Sequence, residues 1–136
     1  MLPANSQNTV IGNNSMFPAT IPDLTDGTVD HDYDQQYAEG RKVIRKDIAS
    51  TLDQPAILTI SHAETGTGQK ARLDSLLRFD RSVADADGNE DTITVYLVIR
   101  NPIKVATAAQ VEEVVNQMTD FLGTATYATK LINGEQ

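Results

Sequence analysis

An α+β fold is predicted by three observations. Strand-period patterns occupy the chain as far as about residue 101, two helix-period patterns follow between residues 107 and 133, and the two helices are consecutive, so the sheet is not of the doubly wound α/β kind. The 136 residues suit one domain with a core of its own, because a chain of this size hides roughly two thirds of its unfolded surface on folding. Residues 1–136 are therefore read as a single domain with an arm (1–15), a β-hairpin (16–40), a sheet (41–101) and the two helices.

The first fifteen residues are rich in Asn, Ser and Gln and have little to bury, as expected of a mobile or partner-dependent arm. Pro18, Pro22 and Asp26-Gly27 then punctuate short extended pieces, and Asp26-Gly27 is a hairpin-turn signal. In the run that follows, Val29, His31, Tyr33 and Gln35 alternate with Asp30, Asp32 and Asp34, which suggests an edge hairpin with a wet acidic face. The segment Arg41–Thr51 fits either a strand or a short helix, with the strand favoured. After Pro55, Leu58, Ile60 and His62 alternate with Ile57, Thr59 and Ser61 until Gly66 and Gly68 break the pattern.

The next strand sets Leu73, Ser75, Leu77, Phe79, Arg81 and Val83 against Arg72, Asp74, Leu76, Arg78, Asp80 and Ser82. One face is mainly apolar and the other mainly charged, as in an antiparallel strand covered on one side. A tight polar turn over ADADGNED leads to a return strand with Ile93, Val95, Leu97 and Ile99 on its apolar side, expected to face helices, and Thr92, Thr94, Tyr96, Val98 and Arg100 on the other. Thr107 followed by Gln110 forms a capping-box signature, and Val111, Val114, Val115, Met118, Phe121 and Leu122 recur at helical spacing up to Gly123, the expected C′ residue. A second helix is predicted from about Thr124 to Asn133, with Gly134 as its stop.

The absence of cysteine excludes disulfides and thiolate metal sites. No stretch approaches the roughly 18 apolar residues of a membrane span, and the first residues carry neither the basic nor the apolar part of an export signal, so a soluble protein is expected. A net charge of −8 argues against nucleic acid, since phosphate contacts need Lys and Arg. The distribution weakens that objection: residues 1–40 hold six acids and no Lys or Arg, leaving 13 of the 19 acids against all 11 basic residues in the remainder.

Two short helices cover only one side of a sheet this wide. The other side would carry Thr59, Ser61, Arg72, Arg78, Thr94, Tyr96 and Arg100, groups suited to phosphate hydrogen bonds and to stacking on unpaired bases. Sheet edges also need cover, and pairing with a second copy is a common solution.

The strands TISHAE and LLRFDRSV, the turn ADADGNE, the strand TITVYLVIRNP, the helix start ATAAQVEEVVNQMTDFLG and the closing KLINGE occur in an order that resembles the coat proteins of levivirus-like single-stranded RNA bacteriophages. The resemblance covers about Ala56 to Gln136. It implies an N-terminal β-hairpin, a five-stranded antiparallel sheet and two C-terminal helices. It also implies an obligate homodimer with one ten-stranded sheet, the helices of each copy crossing onto the other through Val111, Val114, Val115, Met118 and Leu122. Dimers of the family build a T=3 icosahedral capsid in the bacterial cytoplasm around the viral genomic RNA. The inner sheet face binds an RNA hairpin, repressing replicase translation and marking the genome for packaging.

The family's RNA-binding positions on three central strands match Thr59 and Ser61, Arg78 and Asp80, and Thr94 and Tyr96, with Arg72 and Arg100 as further cations on that face. Leu76 departs from the pattern, where a polar group is expected. The turn Ala84–Asp91, with Asp85, Asp87, Gly88 and Asn89, matches the loop that meets its copies around the symmetry axes. No cofactor, metal, membrane or small-molecule substrate is implied, and the chain is expected not to be an enzyme.

Other readings stand beside these. Arg72, Arg78 and Arg100 also suit a solvated face paired with Asp74 and Asp80, and Tyr96 suits an ordinary strand aromatic. Asp85, Asp87, Asn89 and Asp91 are spaced like the start of a calcium loop, but Tyr96 stands where its closing Glu is required. A dimeric RNA-binding regulator that forms no shell is the alternative function.

Overall fold

The computed structural model describes residues 16–136, and the expected arm of residues 1–15 lies outside the described residues. Six strands form one sheet in simple sequential order: β1 Thr20–Thr25, β2 Asp30–Glu39, β3 Lys42–Asp47, β4 Ala56–Thr65, β5 Arg72–Ala84 and β6 Glu90–Asn101. Two helices follow, α1 Ala108–Gly123 and α2 Tyr127–Ile132. The chain divides into two compact units, one built from the residues up to His62 with Leu76–Val98, the other from Ala63–Ser75 with Ile99–Gln136.

The N-terminal hairpin is not separate from a five-stranded sheet. Its second strand, β2, pairs along β3 from Tyr33↔Asp47 to Glu39↔Lys42, which makes β2 an interior strand and leaves β1 and β6 at the edges. The turn joining β2 to β3 turns tightly through Gly40, at φ 58°. Pairing on both sides settles β3 as a strand.

The β1–β2 turn uses a local side chain. At Asp26-Gly27 the Asp26 carboxylate accepts the N–H groups of Thr28 and Val29 at 2.8 and 3.0 Å, and the Asp26 N–H donates to the Val29 carbonyl. The acids of β2 are not simply wet. The Asp32 carboxylate accepts the Asp23 N–H at 2.9 Å, where β1 bulges and Asp23 takes a φ of 60°, and the Asp34 carboxylate accepts the Thr20 hydroxyl. The bulge frees a backbone donor, and an acid from the neighbouring strand satisfies it.

The core lies on one side of the first unit, where Tyr33, Ala56, Leu58 and Ile60 are buried, with Ile21, Leu24 and Phe79 packed against them. Leu58 is 1% exposed, and the rings of Tyr33 and Phe79 meet edge-to-face at 5.8 Å. Arg45 shares this side, opposite Leu58 in register. Its buried guanidinium donates to the carbonyls of Pro18 and Ala19 at 2.7 and 3.3 Å, fastening the entry to β1.

In the second unit the capping box forms as expected. The Thr107 hydroxyl accepts the Gln110 N–H at 3.2 Å, and the Gln110 side chain accepts the Thr107 N–H at 2.9 Å. The α1 stop differs from expectation. Gly123 is the last helical residue rather than a left-handed C′ residue, and the Thr124 N–H donates back to Phe121, with the Thr124 hydroxyl on the Asp120 carbonyl at 2.9 Å. Gly134 does end α2: at φ 78° it donates to Leu131 while Glu135 donates to Lys130, the paired bonds of a Schellman motif.

Neither helix contains a buried residue. Val111 and Val115 are half-buried, whereas Val114, Met118, Phe121 and Leu122 are exposed. The apolar side of β6 is likewise open in part within the chain: Leu97 and Ile99 are half-buried, whereas Ile93 and Val95 are exposed, Val95 by 65%.

Candidate nucleic-acid interface

Strand pairing decides which side chains share the face opposite the core. Residues directly paired across a ladder project to the same side. Arg45 pairs with Leu58 on the core side, so the intervening pairs Ile44↔Thr59 and Lys46↔Ile57, and likewise Lys42↔Ser61, project to the other. Phe79 packs on the core side, so Arg78 and Asp80 point away from it. Thr94 joins them: its hydroxyl donates to Asp80 Oδ1 at 2.6 Å. The expected alternation of β5 against β6 therefore holds.

Three candidate residues form one hydrogen-bonded group. Asp80 accepts Thr94 through Oδ1 and the Arg78 guanidinium through Oδ2 at 2.8 Å. Partial burial pushes the Asp80 carboxyl up, but the bonds from Thr94 and Arg78 outweigh it and hold the carboxyl below its ordinary value. Asp80 thus stays charged and fixes the Arg78 side chain along β5. Tyr96, two residues along β6 from Thr94, is 65% exposed. Ser61 is half-buried, while Thr59 is buried within the chain at 9% exposure. Arg72 and Arg100 are exposed and belong to the second unit.

Sequence reading missed three members of this face. Lys42 and Lys46 arrive through β3, whose strand character was ambiguous in the sequence. Tyr37 arrives through a bulge: Gln35 pairs with Arg45 but Tyr37 pairs with Ile44, so one extra residue turns Tyr37 away from the side that Tyr33 occupies. No residue pattern in β2 announces that slip. The face consequently carries Tyr37, Lys42, Lys46, Arg78, Thr94 and Tyr96, a combination of cations, hydroxyls and exposed rings.

The Asp85 loop is organised by its own side chains. Asp85 Oδ1 accepts the N–H groups of Asp87 and Asn89, each at 2.9 Å, Oδ2 accepts the Asn89 side-chain amide at 2.9 Å, and Gly88 takes a φ of 84°. These bonds, first of all from Asn89, lower the Asp85 carboxyl from its ordinary value. The acid is saturated by its own turn, the arrangement of a rigid loop tip.

Among the described residues no three His, Cys, Asp or Glu side chains are grouped to hold a metal ion, and no helix is long and apolar enough to cross a membrane. The six-stranded antiparallel sheet followed by two helices has counterparts among solved structures. Solved structures with it include chains from the virus-like particle of bacteriophage AVE019 (TM-score 0.66, 17% identity, 88% of this chain and 97% of that one). They also include the particles of bacteriophage GQ-907 (0.66, 13%, 93% and 99%) and of Beihai levi-like virus 21 (0.61, 14%, 87% and 95%). No family model and no curated protein matches the sequence. At these identities the likeness is one of fold, and it extends over nearly the whole of each chain.

Proposed function

We propose that this chain is the coat protein of a single-stranded RNA bacteriophage, a structural protein and not an enzyme. The observation that carries the reading is the apolar surface the chain leaves open on α1 and β6, in a fold shared with subunits of phage particles. Val114, Met118, Phe121 and Leu122 expose large apolar side chains on α1, and Val95 exposes another on β6, the kind of surface that marks an interaction site. β6 adds an edge of 12 residues, Glu90–Asn101, with one side of its ladder open. Two copies joined edge to edge through β6 would make one continuous sheet, and Val111, Val114, Val115, Met118 and Leu122 of each copy would pack against the other.

In this reading dimers assemble in the host cytoplasm into a T=3 shell that encloses the genome, with Asp85, Asp87, Gly88 and Asn89 at contacts between dimers. The face bearing Ser61, Arg78, Asp80, Thr94 and Tyr96, extended by Tyr37, Lys42 and Lys46, looks inward and binds an RNA hairpin. Arg72 and Arg100 are proposed as further cations, and Thr59 as a further hydroxyl on the same side as Ser61. Tyr37 and Tyr96 offer rings for base stacking, while the Lys and Arg side chains meet phosphates.

Expression of the chain alone in bacteria is expected to yield RNA-containing particles visible by electron microscopy. A monodisperse monomer would sink the reading, and dimers that remain dimers at high concentration would favour the shell-free regulator. The double substitution Arg78→Ala with Tyr96→Ala is expected to leave particles intact. It should weaken binding of a selected RNA hairpin about tenfold or more, since loss of one stacked base costs on the order of 1–3 kcal/mol. Unchanged hairpin affinity in a filter-binding assay would remove these residues from the RNA site.

A further inference from the structure

The imidazole of His31 is held from both sides. Its Nδ1 lies 2.7 Å from Oδ2 of Asp47 and its Nε2 lies 2.8 Å from Oδ2 of Asp26. The three residues come from three places: Asp26 opens the β1–β2 turn, His31 lies at the start of β2, and Asp47 ends β3. Each carboxylate spends its other oxygen on its own turn. Oδ1 of Asp26 accepts Thr28 and Val29, and Oδ1 of Asp47 accepts the Ala49 N–H at 2.9 Å.

The chemistry of this arrangement is restrictive. A carboxylate only accepts hydrogen bonds, and a neutral imidazole owns one N–H, so only the imidazolium can donate to both acids together. We propose that His31 is a proton-operated clasp that fastens the β1–β2 turn to the end of β3, closed when the ring is charged and open on the Asp26 side when it is neutral. The open side follows from burial. The Asp47 side chain is 6% exposed and the Asp26 side chain 39%, so the neutral ring keeps its one proton toward Asp47, where an unpaired buried charge would cost more. Nε2 then presents a lone pair to the Asp26 carboxylate, and the turn is released to water.

The neighbouring groups do not compete for this role. Asp23 of β1, Tyr33 of β2 and Arg81 of β5 border the same clefts as His31. Burial, then the charge of Asp47, push the Tyr33 hydroxyl up against the opposing pull of Arg81. The imidazole is the side chain whose ordinary titration falls between pH 5 and 8. The bond to Asp26, then that to Asp47, raises the His31 pKa, burial opposing; the bond from His31 is the first cause of a strongly lowered Asp26 carboxyl. The sign follows. On the basic side the clasp is complete below the ordinary imidazole pKa of 6.5 and is lost as pH rises through the raised value. On the acid side it is lost only as pH falls from the ordinary carboxylate value of 3.8 through the lowered Asp26 value.

The inference concerns the hairpin alone and holds whether or not the chain builds a shell. Hydrogen exchange read by mass spectrometry on the full chain from pH 5.5 to 9, corrected for the chemical exchange rate, tests it. Opening of the peptide spanning Asp26 to Val29 is expected to increase about tenfold for each unit by which the His31 pKa is raised. His31→Gln, whose uncharged amide donates only from its nitrogen end and does not titrate, should be open throughout and flat, while His62→Gln should keep the wild-type dependence. Should His31→Gln fail to fold, Asp26→Asn decides, because it keeps the inner bond to Asp47 and removes only the outer charge. Equal pH dependence in wild type and in either His31→Gln or Asp26→Asn overturns the clasp, as does its disappearance in His62→Gln.

Discussion

Around Leu58 the chain closes its own core, whereas along α1 no residue is fully buried. Both regions carry the same kinds of residue. The first places Tyr33, Leu58, Ile60 and Phe79 together by strand pairing and locks the margin with Arg45, whose guanidinium reaches the carbonyls of Pro18 and Ala19. The second spends its local chemistry on ends, with a capping box at Thr107 and a Schellman motif at Gly134, and leaves Val114, Met118 and Leu122 in the open. The contrast teaches that a well-capped amphipathic helix states which face must be covered but not by which chain.

Substitutions can break this contrast. The largest effect is expected from Val115→Asp, because a charge buried without a partner costs on the order of 3–5 kcal/mol. Under the proposed reading the dimer dissociation constant should rise by about a hundredfold or more, checked by light scattering across a concentration series. Undisturbed dimers would show that α1 is not an interface. Leu58→Ala comes next. Loss of about 3 kcal/mol in chemical denaturation is expected from the cavity left in a site that neighbours fill on all sides. A cost below 1 kcal/mol would mean that the core around Leu58 is not closed.

Thr107→Ala should cost about 1 kcal/mol, since it removes one half of the capping box. Thr107→Asp should restore most of that loss, and an equal loss in both variants would argue against the cap. The smallest effect belongs to Thr94→Val, which deletes the bond to Asp80 Oδ1. Asp80 has a lowered folded pKa, so its contribution is present above the unfolded carboxylate value and is lost as pH falls through the folded one. Thr94→Val should raise the Asp80 pKa toward its ordinary value and reduce the loss of stability on acidification. An unchanged acid limb in denaturation curves would contradict this.

Local signals in the sequence proved legible where their partners are close along the chain. The Asp26-Gly27 turn, the Thr107–Gln110 capping box and the alternation of β5 and β6 each depend on contacts within a few residues or across one tight hairpin. Gly123 was the exception, since a glycine at a helix end can remain helical when Thr124 supplies the stop. The candidate interface was legible in part. Arg78, Asp80 and Thr94 meet as their alternation requires, but the burial of Thr59 and the arrival of Tyr37, Lys42 and Lys46 depend on β3 and on the bulge in β2.

The sequence by itself determined the order of elements, the strands before the helices, the apolar face of each amphipathic element and the turns between them, because period and turn chemistry are written in neighbouring residues. Only the tertiary structure decided that the N-terminal hairpin joins the main sheet, that Arg45 is buried beside Leu58, and that His31 lies between Asp26 and Asp47. Each depends on the register between strands. A shift of one residue exchanges the two faces of a strand, and the composition of a strand by itself does not record which register its neighbour will take.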